Sequence, residues 1–134
     1  MIIKALRAEA LPVYGDGLNV RDWIHVDDHC AAIVAALFEG KPGAVYNFGG
    51  GQEIVNIDLV KILLKQLGKP ESLISFVEDR LGHDRRYAID SGFAQRELNW
   101  KPRHSFEQGL AETIQWYVDN QSWWGSLLER AERY

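Results

Sequence analysis

The sequence predicts an α/β fold, because segments that alternate between apolar and polar residues, as strands do, are interleaved with segments of helical spacing. A chain of 134 residues, of which 46% are hydrophobic and 25% charged, can bury a core. The chain opens on a helix with no strand before it, and only three or four strands can be recognised. Because a parallel sheet normally has both faces covered, we expect one part of a larger α/β protein.

Prolines, glycines and aspartates mark the ends of the elements expected in the first half of the chain. The first helix should end near Pro12, because the residue before a proline avoids the helical region. Asp27 or Asp28 suits the start of a helix, and Gly40 suits its end. The predicted order is a helix in 2–10, an extended segment at 12–14, a turn at 15–17, a strand in 20–26, a helix up to 40 and a strand in 43–51.

Capping residues set the helices of the second half. Asn56 can cap a helix that ends at Gly68, and Asp90 can cap another in 91–98. Ser105 and Gln108 form a capping box for a helix in 106–120. The apolar face of the helix after Asn56 consists of Leu59, Ile62, Leu63 and Leu67. Strands are expected in 72–77 and 86–89, a loop in 99–104 and a loosely attached helical tail in 122–134, which gives a few strands and about five helices.

Charge and cysteine content exclude several classes of protein. A net charge of -4 gives no general attraction to nucleic acid or to an anionic membrane. No apolar run is long enough to span a bilayer, and we recognise no signal peptide, since the first helix carries charged residues. The single cysteine, Cys30, cannot form an internal disulfide and favours a reducing cytoplasm.

The stretch "HVDDHC" contains four residues of the types that bind metal ions: His25, Asp27, His29 and Cys30. The two histidines would share a face only within one helix, and we expect His25 on the preceding strand. The acidic residues suit the start of a helix, because its positive dipole end favours carboxylates. We therefore expect no metal site here.

Three glycines, residues 49–51, follow the strand expected in "VYNF". Glycine allows close backbone approach and positive φ, which anion-binding loops use. However, the sequence contains neither G-x-G-x-x-G nor a phosphate loop ending in Gly-Lys-Ser/Thr, so a sharp structural turn is favoured over a phosphate cradle. Asn47, at the end of this strand, can both donate and accept hydrogen bonds.

The stretch "DRLGHDRRYAID", residues 79–90, concentrates hydrogen-bond donors. Its three cations are all arginine, which suits bidentate phosphate recognition better than lysine does. Gly82 allows the backbone to turn, and His83 adds a donor. The residue types leave two interpretations equally open, an anion-binding loop and a solvated run of charges.

Residues 12–22 also leave two interpretations open. Tyr14 could stack on a base while Arg21 pairs with a phosphate. Alternatively, the segment is a hairpin with an exposed tyrosine and a surface ion pair between Arg21 and Asp22.

Taken together and in order, "LPVYGDGLNVRDWIHVDDHCAAI", "VYNFGGGQE" and "DRLGHDRRYAID" resemble the dTDP-glucose 4,6-dehydratases, a family of extended short-chain dehydrogenases/reductases. The resemblance covers nearly the whole chain, and the last motif separates this family from the UDP-galactose epimerases, which share "RDWIHVDD". It implies that residues 1–134 are a single region, the C-terminal substrate-binding lobe of the extended fold, with the N-terminal Rossmann half missing.

The resemblance also assigns residues to the binding of dTDP-glucose. Pro12, Val13 and Tyr14 would line the thymine pocket, and Arg21 would contact the diphosphate. The residues that would hold the nucleotide, Arg80 foremost, are Asn47, Asp79, Arg80, Leu81, Gly82 and His83. Arg85, Arg86 and Tyr87 would fix the loop and start the next strand. The family usually has proline where this chain has Leu81, so the loop would be less rigid.

By the same resemblance, catalysis in the family needs a bound NAD, a Tyr-x-x-x-Lys pair and a Thr-Asp-Glu set. Here no tyrosine is followed by lysine four residues later, and neither "TDE" nor the dinucleotide loop occurs. We therefore expect a fragment that binds the substrate nucleotide but has no catalytic residues, with NAD bound by the full-length family only.

Three functions follow as alternatives. The first is the substrate-nucleotide lobe of a dTDP-glucose 4,6-dehydratase, which would associate with the missing N-terminal half or with itself. The second is a stand-alone module that binds dTDP-sugars without turnover. The third is an interaction domain whose tryptophan-rich tail docks on a protein.

Overall fold

The predicted α/β class is confirmed by a computed structural model, which describes residues 1–131. The helices are α1 (Ile2–Leu6), α2 (Val26–Glu39), α3 (Asn56–Gln66), α4 (Gly92–Glu97), α5 (Phe106–Asp119) and α6 (Gln121–Ala131). The strands are β1 (Leu11–Tyr14), β2 (Val20–Asp22), β3 (Glu53–Val55), β4 (Ile74–Val77) and β5 (Arg86–Tyr87). The described part of the chain therefore has six α-helices, one in each segment predicted to be helical.

The strands form two small sheets. β1 pairs in parallel with β4, so that Tyr14 lies opposite Val77 where both strands end. β2 is the central strand of the other sheet, antiparallel to β3 and parallel to β5. Strands this short form few ladder hydrogen bonds, so both sheets depend on the helices that pack against them.

The main core forms around the apolar face of α3. Leu59 and Leu63 are buried, as their helical spacing predicts, whereas Ile62 and Leu67 are only partly buried. The other buried members of this core are Ala5, Leu11, Val13, Val60, Leu64, Phe106 and Ile114. Replacement of a leucine such as Leu63 by alanine would destabilise the fold by about 2–5 kcal/mol, because the cavity can collapse only in part.

A second, smaller core joins α2 to α4. Its buried members are Ala32, Ala94, Leu98 and Trp100. An ion pair between Lys41 and Glu97 links the end of α2 to α4 on the surface. The hydrogen bond with Glu97 raises the pKa of Lys41 above its ordinary value.

The first helix is shorter than predicted, because it ends in a left-handed residue well before Pro12. Ala8 has a φ of 54°, and the backbone N–H of Glu9 donates to the carbonyl of Lys4 at 2.8 Å. This bond satisfies a carbonyl of the last turn, as the corresponding bond does in helices that end at a glycine.

The start of α2 also differs from the prediction. β2 ends at Asp22, and His25 is the N-cap of α2 instead of a strand residue. Its Nδ1 accepts a hydrogen bond from the backbone N–H of Asp27 at 3.3 Å, so the ring does what a capping carboxylate or hydroxyl would do.

The remaining caps agree with the prediction to within one residue. Gly68 follows α3 with a φ of 63°, but Val55 and not Asn56 occupies the N-cap. The Ser105 side chain caps α5 by accepting the N–H of Gln108 at 3.2 Å. Asp90 accepts the N–H of Gly92 at 2.8 Å, one residue before the N-cap of α4.

The strand predicted within 43–51, before the glycine turn, is wrong. These residues form no ladder with any strand in the described part of the chain, and Val45 is 81% exposed. Asn47 is accordingly exposed and does not end a buried strand. An apolar segment becomes a strand only when a partner accepts its backbone hydrogen bonds, and no such edge is available here.

The predicted helical tail is confirmed as far as Ala131, and residues 132–134 lie outside the described part of the chain. It is not loosely attached. Trp124 is buried, and its indole N–H donates to the carbonyl of Tyr117 in α5 at 2.8 Å. This contact fixes α6 against α5.

Candidate functional site

Two loops leave the same edge of the parallel pair β1–β4. The N–H of Gly15, just after β1, donates to the carbonyl of Val77, the last residue of β4, at 2.9 Å. In α/β proteins, ligands bind preferentially at the carboxyl ends of parallel strands, where the loops diverge. The loop after β4 carries residues 79–83, which are thereby brought next to Tyr14.

His83 contacts both Asp79 in its own loop and Tyr14 at the end of β1. Its Nδ1 lies 2.6 Å from Oδ1 of Asp79, and its ring packs edge-on to Tyr14 with centroids 6.1 Å apart. The His83 side chain is buried, whereas Tyr14 is about half exposed. The hydrogen bond from His83 is the main cause that holds the pKa of Asp79 below its ordinary value. A buried, oriented imidazole thus lies beside an accessible aromatic ring.

Arg80 and Leu81 form the exposed tip of this loop. The turn is closed by the N–H of His83, which donates to the carbonyl of Arg80 at 3.3 Å, and Gly82 has the φ of 69° that the turn requires. Within the part of the chain that the structure describes, the guanidinium of Arg80 has neither an ion pair nor a hydrogen bond. Its donors are therefore available to an anion.

The other two arginines of the stretch are neutralised by neighbouring elements. Arg85 donates to both carboxylate oxygens of Asp16, at 2.7 and 3.0 Å. Arg86 forms two parallel hydrogen bonds with Glu53 on β3, each of 2.7 Å. These hydrogen bonds raise the pKa of both guanidinium groups. Arg85 and Arg86 are thereby held to neighbouring elements, whereas Arg80 forms no such pair with a described residue.

Arg21 lies at the base of the same loop. Its guanidinium donates to the carbonyls of Val20 and Asp84, at 2.7 and 2.8 Å. The alternative of a hairpin with an Arg21–Asp22 ion pair is wrong, because β1 and β2 belong to different sheets and Asp22 instead accepts the N–H of Gln52.

Sequence reasoning missed one residue of this region, Asn19. It is 2% exposed, and its amide donates to the carbonyl of Asp84 at 3.1 Å, so it fastens the loop from below together with Arg21. Its Oδ1 is buried without a partner in the described structure. Nothing in the local sequence distinguishes this asparagine from one in an exposed turn.

Not all the expected residues come together. The side chain of Val13 is buried in the main core, since alternate residues of β1 face inward, and Pro12 is only partly buried. Asn47 has no recorded hydrogen bond to the loop of residues 79–83. Its segment instead packs near Asp22 and Ile89 through Gly49. Tyr14, Asp79, Arg80 and His83 thus form the centre of the site.

The glycine segment lies tightly against the end of β2. A Cβ atom on Gly49 would overlap the carboxylate of Asp22, and one on Gly50 would overlap the carbonyl oxygen of Trp23. These two close approaches require glycine, whereas a Cβ atom on Gly51 would meet nothing within 4 Å. Among the described residues, no group of three or more histidine, cysteine or acidic side chains could hold a metal ion.

The model of the family described as GDP-mannose 4,6 dehydratase matches residues 1–113. A dTDP-glucose 4,6-dehydratase from Actinoplanes sp. is 54% identical over 92% of this chain. The chain belongs to the dTDP-glucose 4,6-dehydratase family. It spans about 40% of the length of the curated relatives it matches.

Solved structures of the family agree with the fold. The dTDP-glucose 4,6-dehydratase of Bacillus anthracis, crystallised with NAD, is 50% identical over 94% of this chain and 40% of its own, with a TM-score of 0.88. That of Streptomyces venezuelae, with NAD and TYD bound, is 47% identical over 94% of this chain and 39% of its own, with a TM-score of 0.90. The described residues are therefore a partial extended short-chain dehydrogenase fold. None of their helices has the length and apolar character needed to cross a bilayer.

Proposed function

We propose that this chain, as a single region over residues 1–134, binds the dTDP part of dTDP-glucose as the C-terminal lobe of a dTDP-glucose 4,6-dehydratase and is not catalytic by itself. The observation that carries the proposal is Arg80. It is the one arginine of its stretch without a protein partner in the described structure, and it lies next to His83 and Tyr14. A guanidinium fits a diphosphate through two parallel hydrogen bonds.

The other residues of the edge have complementary roles in this proposal. Tyr14, with Pro12 beside it, offers an apolar and aromatic surface to the thymine. His83 donates to the phosphates while Asp79 fixes its ring, and Leu81 and Gly82 shape the turn. Val13 would support the site from below, because its side chain is buried in the main core. Arg21 and Asn47 would complete the nucleotide contacts by moving from their present positions.

NAD belongs to the full-length proteins in this proposal. Both solved relatives described above contain it, whereas the sequence of this chain contains no G-x-G-x-x-G loop. The exposed Cys30 fits a reducing cytoplasm as the compartment in which such a lobe works.

Calorimetric titration of the purified chain with dTDP tests the proposal. We expect saturable binding with one site per chain, and much weaker binding of thymidine, because thymidine lacks the phosphates that Arg80 and His83 would contact. Titration with dUDP measures how far the thymine methyl is recognised, because dUDP differs from dTDP only in lacking that methyl group. A chain that is folded by circular dichroism but binds dTDP no better than thymidine would refute the proposal.

A second candidate function, association with another polypeptide, is favoured by the outer face of α2. The large apolar side chains on this helix that are more than half exposed are Val26, Ile33, Val34, Leu37 and Phe38. Contiguous apolar surface of this kind marks interfaces. The N-terminal half of a dehydratase or a second copy of the chain would cover this apolar face. The proposed association involves neither nucleic acid nor a membrane.

A further inference from the structure

Three charged or titratable side chains meet where the start of α2 faces α5. Nδ1 of His104, in the loop before α5, lies 3.0 Å from Oδ2 of Asp28, and the backbone N–H of His104 donates to the same oxygen at 3.0 Å. Nε2 of His104 lies 3.5 Å from Oε2 of Glu112 on α5. The two nitrogens of one ring thus face carboxylates of two different helices.

The contact between His104 and Asp28 is important because Asp28 is buried. Asp28 is 3% exposed, and the indole of Trp100 donates to its backbone carbonyl at 3.1 Å. Burial opposes its charged form, but the two hydrogen bonds from His104 act in the other direction, and the pKa of Asp28 is lowered. The carboxylate is therefore an anion held in place by His104.

His25 covers the other face of the ring. The centroids of the His25 and His104 rings are 4.2 Å apart, with 33° between their planes. Nδ1 of His25 accepts the N–H of Asp27 at 3.3 Å, so the His25 ring is held in place by the cap of α2 while it stacks on His104.

The charges around His104 favour its protonated form. The hydrogen bond with Asp28 is the largest cause that raises the pKa of His104, burial opposes it, and the carboxylates of Glu112 and Asp27 add to it. From the segment of α1, which borders the same groove, Lys4 and Arg7 both pair with the single carboxylate of Glu9, so one positive charge of this segment is unmatched. The α-amino group of Met1 also lines the groove, and burial is the main cause that lowers its pKa.

We propose that His104 is a proton-operated latch between α2 and α5. The protonated imidazole has two N–H groups and can donate to Asp28 and Glu112 at once. The neutral ring has one N–H, which stays with the buried Asp28, and its other nitrogen then presents a lone pair to Glu112. Loss of the proton therefore releases α5 from this contact. This inference does not rest on the proposed nucleotide binding.

The latch borders a groove of about 1170 Å³ between α1, α5 and α6. His25, Asp28, His104 and Glu112 line one wall, and Trp116 and Tyr117 lie further along α5. Since α6 is attached to α5 through Trp124, release of Glu112 loosens the wall that both helices form. The groove is held more firmly at acidic than at alkaline pH.

Thermal unfolding of the full chain between about pH 5.5 and 8.5 tests the latch. The pKa of His104 is higher in the folded than in the unfolded chain, so its stabilisation is complete below the unfolded-state pKa and disappears as the pH rises through the folded-state pKa. We expect the Tm of the wild type to fall by roughly 2–5 °C more over this range than that of His104→Gln. His29→Gln is the matched control, because His29 is an exposed histidine on α2 outside the cluster.

Nuclear magnetic resonance of the His104 ring gives a second measurement that does not require the His104 variant to fold. In the wild type the titration midpoint of His104 should lie above that of an unfolded chain, and Glu112→Gln should lower it while His29→Gln leaves it unchanged. Equal pH profiles of Tm for the wild type and His104→Gln would overturn the proposal. So would a His104 midpoint that Glu112→Gln does not change.

Discussion

The three arginines between residues 79 and 90 have the same chemistry but different surroundings. Arg85 and Arg86 are each paired with a carboxylate from a neighbouring segment, and Arg80 is not paired with any described residue. A paired guanidinium has already satisfied the donors that a phosphate would use. In the proposed function, Arg80 therefore binds the diphosphate while Arg85 and Arg86 hold the loop.

Replacement of Arg80 by lysine should weaken the binding of dTDP at least about tenfold. Lysine keeps the charge but cannot form two parallel hydrogen bonds, and charge-assisted hydrogen bonds contribute on the order of 1.5–3 kcal/mol each. Arg85→Lys is the matched control. Its exposed ion pair with Asp16 can be kept by lysine, so we expect less than about a threefold change.

Calorimetric titration of both variants measures the ratio, with circular dichroism to show that each is folded. If Arg85→Lys weakens binding and Arg80→Lys does not, the phosphate contacts have been placed on the wrong arginine. The roles proposed for Asp79 and His83 would then also fail.

At the scale of residues, the sequence shows which side chains could bind a ligand. It does not show which of them are already paired with other residues of the protein. The three arginines in 79–90 can be read from the sequence. Their partners Asp16 and Glu53 are distant along the chain, and only the fold brings them next to Arg85 and Arg86. His104 illustrates the same limit. No local pattern indicates that it meets Asp28, and the sequence reading accordingly missed it.

At the scale of elements, residues 43–51 follow a path set by glycines instead of strand pairing. Gly49 and Gly50 allow this segment to approach the end of β2 more closely than any side chain would permit. The approach brings Gln52 to Asp22, whose Oδ1 accepts its N–H at 2.9 Å, and the Oε1 of Gln52 accepts the N–H of Phe106 at 3.0 Å. One irregular segment thus joins β2 to the start of α5.

Gly50→Ala should destabilise the chain by about 1–3 kcal/mol, because the added Cβ overlaps backbone that cannot move without displacing β2. Gly125→Ala is the matched control. Gly125 lies inside α6, where an added Cβ meets nothing within 4 Å, and alanine favours helices by up to about 1 kcal/mol over glycine. Urea unfolding followed by tryptophan fluorescence measures both. A neutral Gly50→Ala would show that the segment does not pack on Trp23.

The sequence predicts most completely an element that depends on its own residues. The helix α3 has its apolar face and its terminal glycine within one stretch, so Leu59, Leu63 and Gly68 are sufficient to place it. The strand expected at Val45 depends on a neighbour that the described chain does not provide. The periodicity of apolar residues cannot show whether a partner strand exists. The strand at Val45 was wrongly predicted for this reason.

At the scale of the whole molecule, apolar surface remains uncovered on α2 and at Val45. Leu37 and Phe38 are 74% and 79% exposed, and Val45 is 81% exposed. Leucine and phenylalanine at such exposure gain free energy when another surface covers them. The exposed apolar face of α2 is therefore the surface on which the proposed association would take place.

The purified chain should self-associate at micromolar concentrations. Light scattering coupled to size exclusion would measure this, and Leu37→Lys should shift the distribution towards monomer because it places a charge in the apolar face. Gln115→Lys adds the same charge at an exposed position of α5 and should have little effect. A wild-type monomer that binds no hydrophobic dye would contradict the expectation.

The chain alone should not convert dTDP-glucose. Hydride transfer requires a bound nicotinamide cofactor, since side chains cannot supply that chemistry, and the glycine segment is packed against Asp22 and Trp23. Incubation with dTDP-glucose and NAD, followed by assay of the 4-keto-6-deoxy product, measures this. Turnover above the rate without protein would show that catalytic residues have been overlooked.

The pairing of β1 with β4 has a consequence for the order in which the chain folds. Leu11 and Ile74 are register partners although α2 and α3 lie between them in the sequence. Closing so long a loop costs entropy before any contact repays it, whereas α2, α3 and α5 can form from local contacts. We therefore expect the edge with Tyr14 and His83 to be assembled late, on helices that are already formed, so that a newly made chain packs its helices before it completes this edge.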